Sequence, residues 1–227
     1  AKLFLRRLQT IATPNTASVL AFRQLPPEAD VSSTDIGLDY EINKTDYRLN
    51  TLKGVEFRMI SSVGIKRITK NNLILELKDP SDPAFNFDKL YDTLKLKTYR
   101  LNFNLSAAKY FPLGRQSTLR TAFTGGLFQS GNIFRNELFQ IGGYKLLRGF
   151  DEESQYVSQY SIATLEYRYR VGLNSFFYVF TDGGWAKNAA LISKPSYTYL
   201  GAGLGLAFET KAGIINLAWA LGKRNDT

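Results

Sequence analysis

Thr98-Tyr-Arg-Leu-Asn-Phe-Asn-Leu-Ser-Ala-Ala-Lys-Tyr110 is the stretch on which the fold turns. One set of alternate positions reads Tyr99, Leu101, Phe103, Leu105, Ala107; the other reads Thr98, Arg100, Asn102, Asn104, Ser106, Ala108. Successive side chains of a strand point to opposite faces, so this is an extended segment with one apolar and one polar face. The same period of two recurs along the chain. Val55, Phe57, Met59, Val63 and Ile65 oppose Glu56, Arg58, Ser62 and Lys66, and Leu165, Tyr167, Tyr169 and Val171 oppose Thr164, Glu166, Arg168 and Arg170. Leu200, Ala202, Leu204, Leu206 and Phe208 oppose Gly201, Gly203, Gly205 and Glu209. No 3.6-residue pattern of helical length appears, so the chain reads as all-β.

Strands are predicted near 34–44, 54–67, 96–111, 117–128, 159–171, 175–186, 197–209 and 213–222, with a less regular one within 2–13. Their connections alternate in length. Short turns fall at 112–116, 172–174 and 210–212, with a medium one at 45–53; long loops fall at 14–33, 68–95 and 129–158, with a moderate one at 187–196. Short turns at one rim and long loops at the other describe an antiparallel up-and-down transmembrane β-barrel. Strands of about 10–14 residues also exceed the usual 5–6 and suit a tilted membrane crossing. Tyr40, Tyr110, Trp185 and Tyr197 lie near strand ends, where interfacial aromatics belong. A soluble barrel or sandwich would carry the same alternation; strand length, loop asymmetry and aromatic content favour the membrane. Residues 1–33 are read as a first strand and long outer loop, and 34–227 as the C-terminal portion of the barrel, with 129–158 its longest loop.

Composition removes much chemistry. The 227 residues include no Cys and no His, so Ser-His-Asp triads, thiolate nucleophiles and ordinary zinc, haem or iron–sulfur sites are excluded. No catalytic, cofactor-binding or metal-binding residues are expected, and no enzyme. The net charge of +9 is dispersed over strands rather than gathered in a stripe, which argues against nucleic acid. Arg58, Arg100, Arg120, Arg168 and Arg170 fall on the polar face and are read as lumen residues paired with Glu56, Asp39 and Glu41. Arg6-Arg7, Lys66-Arg67 and Lys223-Arg224 read as solvated rims, with lipopolysaccharide phosphate as the alternative contact. Gly201-x-Gly-x-Gly lies within a strand and is no phosphate loop.

The informative cluster begins at Gln140-Ile-Gly-Gly-Tyr-Lys-Leu-Leu-Arg148-Gly-Phe150 in the long loop. The next strand carries Glu166, and the one after reads Phe180-Thr-Asp182-Gly-Gly184-Trp185. In this order the cluster resembles the surface-antigen superfamily of outer-membrane assembly and translocation barrels, the BamA/TamA family, over about 35–222. Gly142 and Gly143 match the family's paired glycines, and Arg148, Gly149 and Phe150 match its loop tip. Glu166 stands where the strand carboxylate belongs, Phe180, Asp182 and Gly184 match the second motif, and Gly201 and Gly203 match the following strand. Leu147 departs from the usual β-branched residue before the arginine, and Thr210-Lys-Ala-Gly213 replaces a proline-rich turn.

The resemblance implies that loop 129–158 folds back into the lumen. If apolar alternates face lipid, parity puts Glu166 and Asp182 inside, where Arg148 could bridge both by bidentate, charge-assisted hydrogen bonds and latch the loop. Gly149 would allow a tight tip, and Gly201, Gly203 and Gly205 would clear the wall beneath the loop. The function implied is an outer-membrane barrel that assembles, inserts or translocates other outer-membrane proteins. Its expected partners are unfolded client proteins and outer-membrane lipid or lipopolysaccharide, together with periplasmic or lipoprotein subunits engaged through regions outside this chain. The alternatives are a passive pore or membrane anchor, and a soluble barrel for a small apolar ligand. The family's layout also leads us to expect about nine strands of a barrel of about sixteen.

Overall fold

In the computed structural model, residues 1–190 and 193–226 are described. The strands are β1 (Lys2–Thr10), β2 (Asp30–Thr45), β3 (Gly54–Thr69), β4 (Lys97–Pro112), β5 (Ser117–Ser130), β6 (Phe139–Ile141), β7 (Gln155–Val157), β8 (Gln159–Arg170), β9 (Phe176–Lys187), β10 (Ser196–Thr210) and β11 (Gly213–Asp226). Nine of them form one antiparallel sheet in the order β1-β2-β3-β4-β5-β8-β9-β10-β11, while β6 and β7 pair as a hairpin inside the longest loop. Each sheet neighbour is also the next long strand in sequence, the up-and-down order that the alternating loop lengths predict. β1 pairs along its whole length with β2, which joins the first strand to the same sheet.

Closure is where the structure departs from a barrel. The sheet is open, and β1 and β11 each pair with one neighbour. An odd number of strands in up-and-down order leaves the first and last running the same way. No antiparallel ladder can therefore join them within these described residues.

Strand parity divides the sheet cleanly. Ile36, Val63, Leu165, Val179, Leu200 and Leu204 are exposed on one face. Asp35, Lys66, Arg100, Glu166 and Asp182 are buried on the other, beneath the loops. This inverts the usual soluble arrangement, in which apolar alternates are covered and polar ones meet water.

The long connections, which show no helical period in the sequence, carry compact structure. Helices α1 (Thr16–Phe22) and α2 (Asn72–Leu75), with a 3-10 turn at Phe87–Tyr91, pack Val19, Ile74, Phe87 and Tyr91 together. Asn15, Asn71 and Asn86 each accept a backbone N–H at the start of these turns. Elements of four to seven residues are too short to display a helical period, which is why the pattern hides them.

The opposite rim is tied by the turn 46–53. The Tyr47 hydroxyl donates to Asn174 Oδ1 at 2.9 Å, and the Asn50 amide donates to the Leu173 carbonyl at 3.2 Å. The β2–β3 turn thus reaches the β8–β9 turn across the inner face, so the sheet curls around its polar side.

Candidate functional site

The site is built by the 131–158 connection, which lies on the inner face of the sheet. Its base is fixed where the buried Lys66 ammonium of β3 meets both the Glu137 carboxylate and the Asn132 carbonyl. The β6–β7 hairpin then carries the chain to a tight excursion at 142–151. Gly142 and Gly143 have φ of 115° and 93°, a region that L side chains rarely adopt. Gly143 donates its N–H to the Phe150 carbonyl at 3.1 Å and accepts from Leu147 N–H at 3.1 Å, which closes the excursion on itself. Leu147 is fully buried among Ile141, Val157, Ile162, Ala186 and Tyr199, so the γ-branched side chain fills the apolar seat at this position.

From that seat Arg148 reaches the wall. Its Nε and Nη2 donate to the two oxygens of Asp182 at 2.8 Å each, its backbone N–H donates to the same carboxylate at 3.1 Å, and Nη1 pairs with Glu166. The carboxylates are themselves held. Thr164 Oγ1 donates to Asp182 at 2.8 Å, and Arg168 Nε donates to Glu166 at 2.7 Å. The guanidinium carbon stands 3.4 Å from the centre of the Phe180 ring, a cation–π stack. Arg148 is 8% exposed, Glu166 4% and Asp182 0%, so the pairs are shielded from water. Removing one member would strand a buried charge, at a cost of about 3–5 kcal/mol.

The backbone of the tip lies directly on the wall. A Cβ on Gly201 would collide with the Arg148 carbonyl oxygen, and one on Gly222 would meet the Gly149 carbonyl and, at 2.8 Å, the Phe150 ring. Gly201 and Gly222 face each other in the β10–β11 register, so a paired glycine seat receives the loop. Gly149 has φ 94° and would carry its own Cβ into the Leu221–Gly222 backbone, which makes it the one residue type this close approach admits.

The structure brings Arg148, Glu166, Asp182 and Gly149 together, and Gly142 and Gly143 form the neck of the excursion. Phe150 points away from the carboxylates and meets Tyr199 edge to face, with ring centres 5.3 Å apart. Gly184 lies beside Ile162 and Tyr199; an added Cβ would be tight against Ile162 at 3.3 Å and in ordinary contact with Tyr199 at 3.5 Å. Gly203 and Gly205 differ from the expectation. The space above them holds the rings of Phe180 and Tyr178, not the loop. The predicted arginine pairings also change. Arg58 does meet Asp39 at 2.9 Å, but Arg100 turns to Asp35 and Arg168 to Glu166. Parity places Thr164 on the face of Glu166, but not its hydrogen bond to Asp182, which depends on cross-strand register, as does the Gly222 seat. Lys66, expected at a solvated rim, is instead fully buried and paired with Glu137, because the 131–158 connection covers it.

A one-layer antiparallel meander with a buried polar face, apolar outer face and inward loop clamped by arginine defines a class of curved sheet built around its loop. The chain matches the Omp85 superfamily domain over residues 27–227 and belongs to that superfamily. Members of the superfamily are bacterial outer-membrane proteins concerned with protein assembly and translocation. A comparison with curated proteins finds no match.

Proposed function

We propose that this chain forms a sector of a transmembrane β-barrel in the bacterial outer membrane, and that the barrel assembles or translocates outer-membrane proteins. The Arg148 clamp is its structural latch. The observation carrying this reading is the bidentate Arg148–Asp182 contact, shared with Glu166, together with the seating of the loop backbone on Gly201 and Gly222. In water such a sheet would expose Leu200, Leu204, Val179 and Leu165 while burying charge, an arrangement suited to lipid outside and a polar lumen inside. No covalent chemistry is required of it. An unpaired strand edge at the seam of such a barrel is a template on which an incoming strand can form a ladder.

The latch would hold the loop against β8–β11 and keep that wall ordered while an edge is in use. Client proteins, outer-membrane lipid or lipopolysaccharide at the rims, and periplasmic or lipoprotein subunits are the partners this reading implies. Its test is the folding rate of an outer-membrane barrel substrate into proteoliposomes containing the native protein. Faster folding than in empty liposomes supports the reading. An equal rate replaces it with a passive pore or anchor.

A further inference from the structure

Toward the short-turn rim, the Arg148 tip overhangs a chamber of about 280 Å3 that the latch does not explain. Leu49 of the 46–53 turn contributes to its lining, together with Arg120 of β5, Arg168 of β8, and Lys145 and Arg148 of the loop. Glu166 is the one carboxylate among the lining residues, against these four cations. Outside the lining, Asp182 is engaged by Arg148, Glu56 accepts the Tyr110 hydroxyl at 3.2 Å, and Glu152 accepts the Tyr144 N–H at 3.1 Å.

Arg120 stands apart among these groups. Its Nε is buried and has no hydrogen-bond partner among the described residues. A buried charged donor without an acceptor forfeits its hydration with nothing in return. Arg120 is the direct register partner of Glu166, yet Glu166 takes its hydrogen bonds from Arg148 and Arg168. Arg120 and Arg168 also lie over the same Tyr110 ring, at 6.0 Å and 5.7 Å from its centre. Two guanidinium groups are thereby brought to one side chain at the edge of a polar chamber with surplus positive charge. Forked N–H donors of this kind match the oxygens of a phosphate-type anion.

We propose that the chamber is a binding site for a small oxyanion of the phosphate class, held by Arg120 and Arg168 with Lys145 contributing charge. A phosphate group carries about −1.5 to −2 at neutral pH, which suits the local excess of cations. The site adjoins the Arg148 clamp, with Arg148 and Glu166 in its lining, but its occupancy is measurable without any client protein. Failure of this proposal therefore leaves the assembly reading untouched.

The experiment is thermal unfolding of the purified native protein in detergent micelles, with inorganic phosphate titrated against sodium chloride at equal ionic strength. The expected result is a saturable rise in midpoint, about 5–10 °C at a hundred times the dissociation constant, absent with chloride. Phosphate also strengthens folding non-specifically by exclusion from the protein surface. Arg120→Gln keeps that effect and should lose the saturable part. An equal rise with chloride, or an undiminished saturable rise in Arg120→Gln, overturns the proposal. Should Arg120→Gln not fold, labelling of the unaltered protein by an arginine-selective dicarbonyl decides. Phosphate should slow modification at Arg120 several-fold while leaving the exposed turn residue Arg115 unaffected; equal labelling of Arg120 with and without phosphate overturns the site.

Discussion

Arg148 illustrates how a single side chain can organise a loop of nearly thirty residues, about the length of 131–158. Its Nε and Nη2 fork satisfies both oxygens of Asp182, and the remaining nitrogen reaches Glu166, a geometry that an ammonium cannot copy. Glycine acts at the same scale by absence. Gly201→Ala would drive a methyl group into the Arg148 carbonyl and should lower stability by about 1–3 kcal/mol, read as a shift in the unfolding midpoint. Gly183→Ala is the control, because nothing lies within 4 Å of its added Cβ. The clamp was legible from sequence because parity alone assigns Glu166 and Asp182 to one face, and the loop motif supplies the arginine. Gly222 was not legible. Its role comes from being opposite Gly201, a pairing that depends on the register of two strands rather than on either strand's pattern.

At the scale of elements, the long strands were readable and the content of the loops was not. Sixteen-residue strands such as β3 and β4 repeat their alternation enough times to fix both type and face. The cap elements are short and gain stability from each other, as Val19, Ile74, Phe87 and Tyr91 pack across three separate stretches of chain. Arg23 joins this cap to the 70–96 connection. It donates to Asp79 at 3.1 Å from Nε and 2.7 Å from Nη2, and its guanidinium carbon lies 4.5 Å from the Phe85 ring centre. The Ser81 backbone N–H, and then Arg23, hold the Asp79 carboxyl below the ordinary aspartate value of 3.8. A carboxylate with a depressed folded-state pKa stabilises fully above its ordinary value, and that contribution is lost as pH falls through the depressed one. Hydrogen exchange in residues 11–29 and 70–96 should therefore stay flat from about pH 7 to about pH 5 and quicken, after correction for intrinsic rates, below about pH 4. Asp79→Asn should remove that step. A step of equal size in the variant would assign it to another group.

For the whole molecule, the alternation acquires its meaning from which face is covered. The loops lie over the polar face, and the apolar face carries Leu204 at 55% exposure and Leu200 at 60%. Leu204→Arg distinguishes lipid from water as the outer medium. In a bilayer it should cost up to about 2–4 kcal/mol, according to depth, measured by folding equilibrium in liposomes. A water-facing site would change by no more than about 0.5 kcal/mol. The up-and-down order was legible from loop lengths, whereas the open edges follow from strand number and direction, which no local pattern encodes. On the proposed reading the wall formed by β8–β11 is kept ordered by a loop held in place from within. Amide hydrogen exchange across residues 139–151 in liposomes, compared between the native protein and Arg148→Ala, tests that claim most directly. Loss of the clamp should reduce protection by about 10²-fold or more, the exchange equivalent of about 3–5 kcal/mol. Protection unchanged by the substitution would contradict it.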